Sequence, residues 1–195
     1  MSVPNVLTTS RLFLSPLYFI AFFLPTWTGR LQSAGLLILI VVYVLIEVSD
    51  VLDGHIARSK DLVSDYGKLM DPFADTVSRL TYFVCFSSVG IMPIWTLMVI
   101  IYREFGIVFL RMMMYRRGTA LAARGGGKLK AAFYAFGGLL GIVLLMVRRT
   151  WLPATWERPL QLAATAVFVV AALLAVISFL DYVRVYRAWR RSEEP

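Results

Sequence analysis

SDVLDGHIARSKDLVSDYGKLMDPFAD, residues Ser49 to Asp75, places six aspartates between two long apolar runs. They are Asp50, Asp53, Asp61, Asp65, Asp71 and Asp75. A carboxylate at the edge of hydrocarbon is costly unless it is paired or wetted. Two pairs flank the apolar runs. Asp50 and Asp53 are three apart and Asp71 and Asp75 four apart, so on helices each pair shares one face.

The surrounding chain says what kind of helices these are. Of 195 residues, 59% are hydrophobic and 16% charged, with a mean hydropathy of +0.72. A soluble domain of that length has too little interior for so much apolar surface, and the runs read as transmembrane helices. Six candidate spans lie near residues 9–27, 33–57, 68–90, 91–115, 129–148 and 161–186. The expected fold is an all-α integral membrane protein of six transmembrane helices, with a single domain over 1–195. Several runs exceed the roughly 20 residues needed to cross, so tilt or extension beyond the membrane is expected. Gly90-Ile91-Met92-Pro93 reads as a tight turn between spans three and four, and RGGGK (Arg124–Lys128) as a flexible joint between four and five. The first run has only Arg11 before it and no cleavage pattern after it, so it is a retained helix rather than a signal peptide. The single Cys85 has no disulfide partner and reads as a packing residue.

The net charge is +8. The basic residues lie beside the apolar runs rather than in a soluble basic domain, which argues against nucleic acid as a partner. One membrane face carries Arg58, Lys60, Lys68, Arg116, Arg117, Arg124, Lys128, Lys130, Arg184, Arg187, Arg190 and Arg191; the other carries Arg30, Arg148, Arg149 and Arg158. The positive-inside rule makes the first face cytoplasmic. An even number of spans then puts both termini there, together with the aspartates. Trp95, Trp151 and Trp156 suit interfacial anchors on the outer side.

Two helix ends that each present a carboxylate pair repel one another unless cations sit between them. Hard oxygen donors favour Mg²⁺, Mn²⁺ or Ca²⁺ over a soft metal. Gly54 permits close approach of a ligand to the backbone. Arg58, four residues on, offers a fork suited to phosphate oxygens. Lys60, Asp61 and Asp65 fall in the connecting loop and read as solvated surface. A purely structural reading has Asp71, before Pro72, starting a helix. It leaves unexplained Asp50 and Asp53 at the end of an apolar span and Asp75 a turn inside the next.

These residues resemble the motif of the CDP-alcohol phosphatidyltransferase family, D-x2-D-G-x2-A-R-x8-G-x3-D-x3-D. Here it reads Asp50, Asp53, Gly54, Ala57, Arg58, Gly67, Asp71 and Asp75. Further stretches are similar to the members of that family that act on glycerol 3-phosphate: PNVLTTSR (Pro4–Arg11), DPFAD (Asp71–Asp75), REFGIVFLR (Arg103–Arg111) and GKLK (Gly127–Lys130). Two positions depart from that pattern, where Thr76 stands in place of lysine and Ala131 in place of threonine.

The resemblance implies a six-helix membrane fold, a homodimer, and transfer of a phosphatidyl group from CDP-diacylglycerol to an alcohol with release of CMP. It implies two Mg²⁺ or Mn²⁺ ions between Asp50, Asp53, Asp71 and Asp75, with Asp75 also the base that takes the acceptor's proton. It implies that Asp50, Gly54, Ala57 and Arg58 line the CDP-diacylglycerol. Asn5 and Thr8 enter as further motif positions of the site. A glycerol 3-phosphate acceptor needs a cationic pocket, for which Arg103, Arg111, Lys128 and Lys130 are the candidates. Arg103 and Arg111 are eight apart, about two turns, and share a helix face. Glu104, beside Arg103, is expected to pair with some other cation, since adjacent helix residues do not face each other. Other acceptors within the family (inositol phosphate, inositol, serine) remain open. So does a divalent-cation transporter, against which Arg58 argues because it would repel the cargo.

Overall fold

Six long helices account for most of the described residues in the computed structural model. It describes residues 3–59, 65–115, 125–149 and 151–193, with side chains described for 5–50, 52, 70–114, 129–149 and 151–191. The helices are α1 (Val3–Thr28), α2 (Gln32–Ser59), α3 (Asp65–Ser88), α4 (Ile94–Tyr115), α5 (Gly125–Arg148) and α6 (Glu157–Glu193), with a short 3-10 turn at Ala154–Trp156. Among the described residues there is no strand. Each expected span falls on one of these helices.

Four stretches are long and apolar enough to cross a membrane: Asn5–Thr28, Gln32–Asp50, Leu129–Arg148 and Ala154–Arg191. They mark a membrane protein. The expected count of six is met by helices but not by apolarity. Helix α3 carries Asp71, Asp75 and Arg79, and α4 carries Arg103, Glu104 and Arg111. These are the same groups that build the site below.

Three local readings are corrected. Helix α3 begins at Asp65, so Asp65 is not in a loop and Asp71 does not start the helix. An acidic residue in a first turn suits the positive end of the helix dipole. Pro72 lies inside α3. The glycines of RGGGK are not a free joint, because α5 starts at Gly125. Poor helix propensity is tolerable in a first turn whose N–H groups lack intrahelical partners in any case.

The turn between α3 and α4 forms as read. Gly90 takes φ of +72°, a left-handed geometry that glycine adopts without a Cβ clash. Its N–H donates to the Ser87 carbonyl at 3.1 Å, and that of Ile91 donates to Phe86 at 2.9 Å. This pair of bonds closes the helix end as a Schellman motif. Ile91 and Phe86 are both fully buried, which supplies the apolar contact that accompanies it.

Helix α1 packs on α2 and α3, while α6 packs on α5 and α4. An aromatic core joins the two groups. Phe83 meets Tyr134 and Phe168 edge-on, each with ring centroids 5.4 Å apart, and Tyr82 meets Tyr43 at 5.5 Å. Helix α5 comes close to these rings because it presents glycine. A Cβ on Gly137 would lie 2.8 Å from the Phe168 ring, and one on Gly141 would lie 2.5 Å from that of Phe86. Cys85 is buried among them, in the packing role expected.

Candidate active site

Two clusters of charge sit in the bundle. The first gathers the ends of α2 and α3 around an arginine from α1. That helix packs against both α2 and α3, and Arg11, fully buried, uses the position. One of its guanidinium nitrogens donates to Asp50 Oδ1 at 2.7 Å. The other donates to Asp71 Oδ1. A second arginine, Arg79, closes the group from below. Its Nη2 reaches Asp75 Oδ1 at 2.8 Å, one helical turn away, and Asp50 Oδ2 at 3.4 Å. Glu47, three residues before Asp50 and on the same stripe of α2, accepts from the Tyr82 hydroxyl at 3.2 Å. Deeper still, Ser15 donates to Ser78 at 3.1 Å and ties α1 to α3.

The structure thus places Asp50, Asp71 and Asp75 around the same two arginines, an arrangement across helices that spacing within a helix does not give. Asp53, Gly54, Ala57 and Arg58 fall on the last two turns of α2 and Lys128 on the first turn of α5; their side chains lie outside the described residues, as do Lys60, Asp61, Arg116, Arg117 and Arg124. Asn5 and Thr8 lie on the first turns of α1, with Thr8 buried. Among the described residues, no three acidic, histidine or cysteine side chains stand together as a metal site. The donor chemistry of the three aspartates, all carboxylate oxygen, still fits a hard divalent cation.

The second cluster lies between α4, α5 and α6. Glu104 is its centre; it finds the expected other cation in Lys130, but it also reaches its chain neighbour Arg103, which was not expected to face it. It pairs with its chain neighbour Arg103, Nη1 to Oε2 at 2.9 Å, as well as with Lys130, Nζ to Oε1 at 2.6 Å. Long, flexible side chains reach round where the backbone directions diverge. The Tyr134 hydroxyl also donates to Glu104 Oε1 at 3.1 Å. Arg103 Nη2 donates to Ser178 Oγ of α6 at 2.9 Å. Arg103, Glu104 and Lys130 are each less than a tenth exposed. Arg103 and Arg111 do share a face: both guanidiniums lie 5.9 Å from the centroid of the Tyr182 ring. Arg111 also reaches the Tyr182 hydroxyl at 3.4 Å. The Nε atoms of both arginines are buried without a hydrogen-bond partner among the described residues.

The clusters are within electrostatic reach of each other, Asp75 interacting with Lys130 and Glu104 with Arg79. A carboxylate-rich group from α2 and α3 and a cation-rich group from α4 and α5 are thus held inside one apolar bundle. Such a pair can hold cations and a phosphate side by side, the second group being the one shielded from bulk water.

Arg79, Glu47, Tyr134, Ser178 and Tyr182 were not singled out from sequence, and Arg11 was read only as the end of a motif. Two of these had a local signal. Arg79 stands four residues after Asp75, and Glu47 three before Asp50, so both extend stripes already identified.

A family model described as CDP-alcohol phosphatidyltransferase matches residues 1–189. The chain is 31% identical to the CDP-diacylglycerol–glycerol-3-phosphate 3-phosphatidyltransferase of Treponema pallidum, over 95% of this chain and 89% of the relative. It is 31% identical to a probable phosphatidylglycerophosphate synthase of Mycobacterium tuberculosis, over 93% and 80%. It is 30% identical to the Bacillus subtilis protein that bears the same name as the Treponema relative, over 66% and 70%.

Proposed function

The chain belongs to the CDP-alcohol phosphatidyltransferase family, and from that premise we propose that it transfers the phosphatidyl group of CDP-diacylglycerol to glycerol 3-phosphate, giving phosphatidylglycerophosphate and CMP. The observation that carries this reading is the presence in one bundle of an aspartate cluster, Asp50, Asp71 and Asp75 on two arginines, and a buried cation cluster, Arg103 and Lys130 on Glu104. A neutral acceptor has no use for the second pocket, and a phosphorylated one requires it.

In this reading a hydroxyl oxygen of glycerol 3-phosphate attacks the phosphatidyl phosphorus. The bond from that phosphorus to CMP breaks, and Asp75 takes the hydroxyl proton. Arg79, held on Asp75 at 2.8 Å, fixes the direction of that carboxylate. Asp50, Asp53, Asp71 and Asp75 hold two divalent cations, Mg²⁺ or Mn²⁺, which when bound offset the diphosphate charge and the charge developing on departing CMP. Gly54, Ala57 and Arg58 line the CMP moiety with Asp50. Arg103, Arg111, Lys128 and Lys130 orient the acceptor through its phosphate.

The whole chain, 1–195, acts as one domain. Helices α3 and α4 cross the membrane with the other four, their charges turned to the bundle interior. The active site and both termini lie on the cytoplasmic side of a bacterial inner membrane, following the distribution of lysine and arginine. The family resemblance favours a homodimer.

Purified protein incubated with CDP-diacylglycerol and labelled glycerol 3-phosphate, inositol phosphate, inositol or serine tests the acceptor. Phosphatidylglycerophosphate is the expected product, and a different lipid would reassign the substrate. Excess EDTA is expected to abolish turnover, and Mg²⁺ or Mn²⁺ to restore it. Full turnover in EDTA would remove the cations from the scheme.

A further inference from the structure

Glu104 is an odd residue to find in a pocket meant for an anion. It repels phosphate, yet it occupies the middle of the cation cluster, bonded to Arg103 at 2.9 Å and to Lys130 at 2.6 Å. We propose that Glu104 is an internal stand-in for the acceptor's phosphate, holding Arg103 and Lys130 in place while the pocket is empty and yielding them to a phosphate dianion. The proposal rests on the reading of these cations as the acceptor site and deepens it into a rule of specificity.

Three observations support the exchange. First, the cations need an anion at all times. Arg103 and Lys130 are nearly buried, and a buried charge without a counter-ion is strongly destabilising. Glu104 supplies that counter-ion with carboxylate oxygens, the same class of acceptor that phosphate offers. Second, the cluster retains unused capacity for an anion. Among the described residues, Arg103 Nε and Arg111 Nε are buried without hydrogen-bond partners and Arg111 pairs with no carboxylate. A dianion entering beside Tyr182 meets these donors before it competes for the rest. Third, Glu104 is held by a removable latch. The Tyr134 hydroxyl donates to the same Oε1 that Lys130 uses, so the carboxylate keeps one partner when it gives up the cation.

Selectivity follows from the competition. A hydroxyl of a neutral polyol cannot replace a charge-assisted bond to a carboxylate, so it leaves the pocket closed. A phosphate dianion brings more charge and more oxygens than Glu104 and displaces it. Affinity for phosphorylated acceptors is reduced by the cost of that displacement, in exchange for rejection of neutral ones.

The test compares wild type with Glu104→Gln, which keeps the shape and removes the charge. At saturating CDP-diacylglycerol, KM for glycerol 3-phosphate is expected to fall by about 5- to 20-fold, within the range that one charged hydrogen bond commands. The inhibition constant for inorganic phosphate should fall by a similar factor. In detergent without substrate, the variant should melt below wild type and regain the difference on addition of inorganic phosphate, which should raise the wild-type melting temperature less. An unchanged or higher KM, or a melting deficit that phosphate does not repair, would overturn the proposal and leave Glu104 a structural residue. If Glu104→Gln does not fold, Tyr134→Phe carries the test. It keeps the ring but removes the partner that Glu104 retains when displaced, so KM should rise by about 2- to 5-fold, and an unchanged or lower KM overturns the idea. Should wild type fail to use glycerol 3-phosphate, the acceptor assignment fails by itself, and the phosphate-dependent melting still decides whether Glu104 competes with phosphate.

Discussion

Around Asp50, carboxylates from α2 and α3 share two guanidiniums, those of Arg11 and Arg79. Around Glu104, cations from α4 and α5 share one carboxylate. Each cluster holds a minority of the opposite sign, and each leaves an excess: negative in the first, positive in the second. The excess matches what each pocket is proposed to receive. The minority charge keeps the bundle intact before anything arrives. The clusters differ in access to water. Asp50 and Asp71 have side chains 31% and 49% exposed, whereas those of Arg103, Glu104 and Lys130 stay at 11% or below. Solvent can therefore compensate a missing partner in the first cluster but not in the second.

That difference sets the largest expected effect. Glu104→Leu strands two buried cations and should lower unfolding stability by about 3–5 kcal/mol. Arg11→Leu removes two bonds, but Asp50 and Asp71 can rehydrate, so its cost should be smaller. Denaturation of both variants in detergent measures the gap, and equal losses would dissolve the contrast drawn from exposure. Next comes chemistry. Asp75→Asn should leave CDP-diacylglycerol binding largely intact and cut kcat by roughly 10²-fold or more, the usual scale for loss of a general base. A near-normal kcat would move the base elsewhere in the first cluster.

The two clusters were also unequally legible in the sequence. Intervals of three and four aligned Asp50 with Asp53 and Asp71 with Asp75, because helix periodicity is local. Arg103 and Arg111 followed from the same rule, and Tyr182 now shows the face they share. What joins the helices was not legible. Arg11 meets Asp71 across sixty positions and Lys130 meets Glu104 across twenty-six, and no periodicity connects residues on different helices. The six elements were visible as apolar runs, but their ends were not. Asp71-Pro72 looked like a helix start and RGGGK like a joint, since both carry local breaking signals. In the structure α3 begins six residues before Asp71 and α5 at the first glycine, and packing of α1 on α3 and of α5 on α6 outweighs those signals.

A third prediction probes the positive cluster without stranding a charge. Arg111 pairs with no carboxylate among the described residues, so Arg111→Ala removes a phosphate donor and leaves Glu104 satisfied. KM for glycerol 3-phosphate should rise about 10- to 150-fold, with KM for CDP-diacylglycerol changed far less. An increase in the donor's KM instead would place Arg111 in the first pocket.

The smallest effect belongs to a third charged group, at the other end of the bundle, which sharpens the comparison by sharing no residue with either cluster. Arg148, at the end of α5, donates to Val89 O at 2.6 Å, to Glu157 at 3.0 Å and to Gln161 at 2.9 Å. Gln161 in turn donates to the carbonyls of Gly90 and Ile91, so the α3–α4 turn is clasped to the start of α6. The Arg148–Glu157 pair is 27% and 48% exposed, and pairs in such surroundings contribute little. The part-buried bond to Gln161 is the one worth counting. Arg148→Ala should therefore lower stability by about 1 kcal/mol and leave both KM values and kcat at wild-type levels, since nothing at this end faces Asp75 or Glu104. If Arg148→Ala raised KM for glycerol 3-phosphate as Arg111→Ala does, the acceptor effect would reflect helix placement rather than direct contact. The charge of the second cluster would then lose its claim to recognise phosphate.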